Sequence, residues 1–101
     1  MYIIIKSAKT ITNGSEKCTA SAVINSDKIA YFMVLNLSFE GFDVVAKTGT
    51  SAYRLHNFKT EDEARRLIGA ICEALEVKQE FFDIEDFLYH ESHPDADKWQ
   101  Q

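Results

Sequence analysis

The sequence predicts an α+β fold: a four- to five-stranded antiparallel meander sheet with two C-terminal helices packed on one face. Three observations carry this. Up to residue 59 the apolar residues fall in short β-rich runs separated by turn signals. At Thr60 the pattern changes to helical spacing behind a capping signature. The charge changes at the same place. Residues 1–59 carry seven Lys/Arg against four Asp/Glu, a net of +3, whereas residues 60–101 carry four against twelve, a net of −8. Residues 1–90 are expected to form a single domain and residues 91–101 a polar tail.

The first run, Tyr2 to Thr12, is rich in Ile and Thr and ends at Asn13-Gly14, a pair whose tolerance of positive φ marks a two-residue hairpin turn. Lys17 to Ile24 reads as the return strand, and Asn25-Ser26-Asp27-Lys28 as a turn. Ile29 to Phe39 follows as a long strand, apolar on both faces over its first half, which suits the middle of a sheet. Phe42 to Thr48 and Ala52 to Phe58 complete the set, with His56 alternating with Arg54 on the last strand.

Thr60 and Glu63 form the capping box, and Glu61, Asp62 and Glu63 crowd the positive end of the helix dipole. Ala64, Leu67, Ile68, Ile71, Cys72 and Leu75 then recur as one apolar stripe. The small residues Cys18, Ala20 and Ala22 offer a face for that helix to approach. Lys78 to His90 reads as a second helix whose stripe is Phe81, Ile84, Phe87 and Leu88, with Phe82 and Tyr89 beside it. An alternative start is Ile84, with Asp83 as the cap.

Composition narrows the chemistry. With 46% hydrophobic residues and twelve aromatics in 101 residues, the chain has the material for a core and is not of the disordered class. The opening Tyr2-Ile3-Ile4-Ile5 is too short for a signal peptide or a membrane span, so a cytoplasmic protein without membrane contact is expected. Two cysteines in different pattern types, Cys18 and Cys72, are expected to be reduced, with Cys72 buried in its stripe. His90 and His93 can share a helix face and ligate a metal, but Pro94 disfavours helical geometry at His93, and no third imidazole or thiolate is near. No phosphate-binding glycine loop and no nucleophile–base arrangement is visible. The expectation is a protein with no catalytic residues, no metal and no cofactor.

What stands out instead is surface charge. Glu73, Glu76, Glu80, Asp83, Glu85 and Asp86 form a dense acidic set on the helical half, and Glu91 extends it. Phe82 and Tyr89 add aromatic contact area beyond what one short helix can obviously bury, as for a partner or homodimer interface. These eight residues, Glu91 aside, are the candidate partner-binding set. They suit a protein with a basic surface, such as a groove that ordinarily holds nucleic acid. The expected function is therefore a small, non-enzymatic, acidic protein-binding module, an inhibitor of a larger nucleic-acid-handling protein of the anti-CRISPR or DNA-mimic type. The competing readings are a single-stranded nucleic-acid binder using Lys6, Lys47 and Arg54 on the sheet, and an oligomeric structural or regulatory subunit. Direct nucleic-acid binding is disfavoured by the sequence pI of about 5.1.

Overall fold

The computed structural model describes residues 1–5, 9–12, 15–18 and 22–93, with 9–12 and 15–18 described through their backbone pairing. Among the described residues, eight strands and two α-helices follow in chain order. They are β1 (Tyr2–Ile5), β2 (Lys9–Thr12), β3 (Ser15–Cys18), β4 (Ala22–Asn25), β5 (Tyr31–Asn36), β6 (Phe42–Lys47), β7 (Ala52–Phe58), α1 (Glu61–Glu76), β8 (Phe81–Asp83) and α2 (Ile84–Ser92).

The fold is α+β, as expected, but the strands form two sheets rather than one meander. One has the order β4-β1-β8 and the other β3-β2-β7-β6-β5. The two runs predicted as continuous strands of a hairpin are each divided between the sheets. Their outer parts pair Thr12 with Ser15 in the five-stranded sheet, and their inner parts pair Tyr2 with Asn25 in the three-stranded one. Asn13 and Gly14, the expected turn, lie outside the described residues. The meander holds for β5, β6 and β7, which pair antiparallel in succession. The strand expected over Ile29–Phe39 is shorter at both ends, running Tyr31–Asn36 between 3-10 turns at Ser26–Lys28 and Ser38–Glu40. It lies at the edge of its sheet, not in the middle.

Gly41 closes the second of these turns. Its φ is +89°, and a Cβ there would stand 2.5 Å from the carbonyl oxygen of Phe58, so both backbone conformation and space require glycine.

Between Val44 and Val45 the register with β7 shifts: Val44 pairs with His56 but Val45 with Arg54, leaving Leu55 as the extra residue of a β-bulge. The bulge changes the phase of the alternation. Tyr53 and His56 fall on the side of Ala46 and Val44, towards the core, whereas Arg54 and Asn57 fall on the side of Val45 and Asp43. His56 and Arg54, expected to share a face by simple alternation, are on opposite faces.

Thr60 is the N-cap of α1: its hydroxyl accepts from the Glu63 amide at 3.3 Å and donates to the Glu63 carboxylate at 2.9 Å. The buried line of the helix is Ala64, Leu67, Ile71 and Ala74. It is rotated from the expected stripe, so Ile68 is half-buried while Cys72 and Leu75 are exposed. α1 packs against β5, β6 and β7. Of the face expected to receive it, Ala22 packs at the edge of the core, Ala20 lies outside the described residues, and Cys18 is described only through its backbone.

The segment expected as one helix from Lys78 is a turn, a strand and a shorter helix. β8 pairs parallel with β1, Tyr2 against Phe81 and Ile3 against Phe82. Asp83 then caps α2, accepting from the amides of Glu85 at 3.0 Å and Asp86 at 3.4 Å. α2 ends at Ser92, inside the stretch expected to be tail. A single apolar core unites both sheets and both helices: Ile3, Ile5, Ile24 and Phe82 from the small sheet meet Val44, Leu55 and Phe58 from the large one, with Leu67, Ile71 and Ile84 between. No helix among the described residues is long and apolar enough to cross a membrane.

Candidate protein-binding surface

The three-stranded sheet has one face in the core and one face outside. Ile3, Ile5, Ile24 and Phe82 point inward. By alternation Tyr2, Ile4, Val23 and Phe81 share the other face, where Val23 is 63% and Phe81 52% exposed. The rings of Tyr2 and Phe81, directly opposed in register, lie 5.9 Å apart between centroids. Beyond Tyr2 a shallow hollow of about 490 Å³ leads to Leu75, Lys78, Gln79 and Glu80 at the end of α1. This gives a connected apolar surface with polar residues on its border, the arrangement that distinguishes contact sites from scattered exposed side chains.

Of the predicted partner-binding residues only Glu80 is placed beside this surface, and the others are spread over α1, β8 and α2. Glu80 borders the hollow, and Glu85 and Asp86 are exposed on the first turn of α2. Glu73 and Glu76 are exposed on α1. Tyr89 is exposed and stacks on His93 with ring centroids 4.2 Å apart. Two members of the set do other work. Phe82 is only 8% exposed and belongs to the core, because strand geometry turns it inward and turns Phe81 outward. Asp83 spends its carboxylate on the amides of α2. Among the described residues, Asp86 stands 3.8 Å from His90, and Glu91 pairs with Arg66 at 3.6 Å, linking α2 to α1.

The alternative basic set is not assembled in the same way. Arg54 donates from Nε to Asp43 at 2.7 Å, and Asn57 donates to the other carboxylate oxygen at 2.7 Å. Lys47 is half-buried, opposite Tyr31 of β5, and Lys6 lies outside the described residues.

A second concavity, of about 440 Å³, lies where β7, α1 and α2 meet. Phe58, Phe87 and Leu88 contribute apolar walls, and His56, Glu63 and Arg66 polar ones. Burial pushes the His56 imidazole below its ordinary value of 6.5, against the opposing pull of Glu85, Glu63 and Asp43. His56 also meets the Phe58 ring edge-on at 4.7 Å. The described residues hold no group of three or more His, Cys, Asp or Glu arranged for a metal ion. Cys72 is a free, exposed thiol.

The outer apolar face is not legible in the sequence, where Phe81 fits a helical stripe as well as a strand. The strand is favoured by Phe81-Phe82-Asp83: two β-favouring aromatics ahead of an N-cap residue, complementary to an opening strand apolar on both faces. Comparison of the chain with protein-family models, with curated proteins and with solved structures finds no match.

Proposed function

We propose that this protein is a small binding module that acts on another protein rather than on a substrate. The observation that supports this is the apolar face of Tyr2, Ile4, Val23 and Phe81, left exposed among the described residues, with Glu80 lining the hollow beside Tyr2. Apolar residues at the centre and charge at the margin match the anatomy of protein interfaces, where the centre supplies affinity and the margin supplies steering. The complementary partner carries an apolar patch ringed by Lys and Arg. Nucleic-acid-handling proteins present such basic surfaces, and a module seated there acts as an inhibitor, of the anti-CRISPR or DNA-mimic kind.

The test is capture from a nuclease-treated lysate with immobilised protein. A protein retained by the wild type is expected to be lost with Val23→Lys or Phe81→Lys, both at exposed positions where the fold should be unaffected, as unchanged melting would verify. Reversing Glu80, Glu85 and Asp86 to Lys should slow association and remove its salt sensitivity. Retention of the same partner by all of these variants would sink the proposal. Capture abolished by nuclease would favour the single-stranded nucleic-acid reading, which predicts effects at Lys47 instead.

A further inference from the structure

Phe39 stands at the tip of the turn between β5 and β6. It is 105% exposed, against 68% for Val77, the next of the exposed apolar side chains among the described residues. The turn that carries it is tied down. The Ser38 amide donates to the Asn36 side chain at 2.9 Å, the Leu37 amide to the Gly41 carbonyl at 2.8 Å, and the Glu40 amide to the Leu37 carbonyl at 3.2 Å. Asn57 of β7 donates to the Glu40 carbonyl at 2.8 Å and, from the same nitrogen, to the buried Asp43. Ser38 takes φ +60°, a region that residues with a Cβ enter at a cost. A side chain projected from so fixed a turn gives up little freedom when it is bound.

Beside this knob is a hole. The concavity of about 440 Å³ between β7, α1 and α2 shares Asn57, Phe58 and Lys59 with the hollow that Phe39 itself borders, so the two lie side by side. Its apolar walls are Phe58, Phe87 and Leu88. An apolar cavity of about 150 Å³ already holds a benzene ring. A phenyl group entering here meets two other rings, where tilted and edge-on contacts are favourable. The charges follow the same plan. Glu40 is next to the knob and Lys59 lines the hole, and both are exposed. Although they border one hollow, neither forms an ion pair with a described residue.

We infer that two copies of this chain associate about a two-fold axis between knob and hole. Each places Phe39 in the other's concavity and Glu40 against the other's Lys59. A knob next to a hole on one surface is self-complementary: the operation that seats one Phe39 seats the other, and the assembly closes at two. What covers Phe39 and what fills the concavity are then the same contact. The interface uses none of Tyr2, Ile4, Val23 or Phe81, and it leaves the outer face of the small sheet open to a different protein.

Sedimentation velocity across the micromolar range should show a monomer–dimer equilibrium of the wild type. Phe39→Ala, at a fully exposed position, should leave the melting of the monomer unchanged. It should raise the dissociation constant at least about thirtyfold, the scale of losing an anchor residue. Glu40→Lys and Lys59→Glu should each raise it about tenfold, by setting like charges together twice. The two charge variants mixed in equal amounts should recover wild-type association, because in the mixed dimer each contact between positions 40 and 59 again joins opposite charges. An effect acting within one chain would not be restored by mixing. A monomer at every concentration, a dimer indifferent to Phe39→Ala or to the charge variants, or charge variants that do not recover on mixing would each overturn the inference.

Discussion

Asp43 and Arg54 are not opposite one another in register, yet Nε of Arg54 lies 2.7 Å from Oδ2 of Asp43. Asp43 is 1% exposed on the sheet face away from α1. The bulge at Leu55 makes the contact: it turns Arg54 and Asn57, three residues apart, to the same side, and they bind the two oxygens of one carboxylate. A charge buried with both oxygens satisfied is tolerable; the same charge with a partner removed is not.

Asp43→Ala is accordingly expected to lower stability by about 3 kcal/mol, the scale for breaking a buried pair. Urea denaturation would show it as a lower midpoint. A midpoint within error of the wild type would mean that the pair contributes nothing to folding.

The helix caps make a graded pair. Thr60→Ala and Asp83→Ala should each cost about 1 kcal/mol, the usual loss when an N-cap oxygen is removed. The first should act through α1. The second should detach α2 and β8 locally, so faster hydrogen exchange in Ile84–Ser92 is its distinguishing sign.

His56 predicts a pH dependence. Its folded-state value lies below 6.5, so the unfolded chain binds the proton more readily. Stability is then fully present above 6.5 and falls as pH drops through the interval from 6.5 down to the folded value. His56→Phe should flatten this part of the stability profile while leaving the carboxylate-driven loss at lower pH. Equal slopes in the two proteins above the carboxylate range would contradict the burial of His56.

The rotated stripe of α1 separates Ile71 from Cys72. Ile71→Asp puts an unpaired charge at a fully buried position and should leave no folded protein at room temperature. Cys72, one residue on, should react with iodoacetamide in the native state at nearly the rate of a free thiol peptide. Protection of Cys72 from the reagent would restore the stripe read from sequence.

The legible parts of the fold were those written locally. β7 runs from Ala52 to Phe58 and α1 starts behind Thr60, both as the residue pattern indicated. What escaped depends on contacts remote in sequence. The division of the first hairpin between two sheets is decided by what each half packs against, and the bulge at Leu55 has no marker such as glycine. Phe81-Phe82 is an ambiguous apolar pair whose strand state is set by β1, about as far away along the chain as any residue can be. For the same reason the exposed carboxylates are visible in the sequence as a cluster of charge, whereas the apolar face of the small sheet is not. Tyr2, Val23 and Phe81 come from three separate segments and meet only through strand pairing.

The parallel pairing of β1 with β8 also has a temporal consequence. Tyr2 leaves the ribosome well before its neighbour Phe81, which follows only after all the intervening strands and α1. Closing so large a loop carries a high entropic cost before any contact offsets it. Until then β1 has a partner on one side only and an open edge of isoleucines on the other. Chains arrested before residue 81 should therefore be sticky rather than merely incomplete, and the last native contacts to form are those that give the small sheet its outer surface.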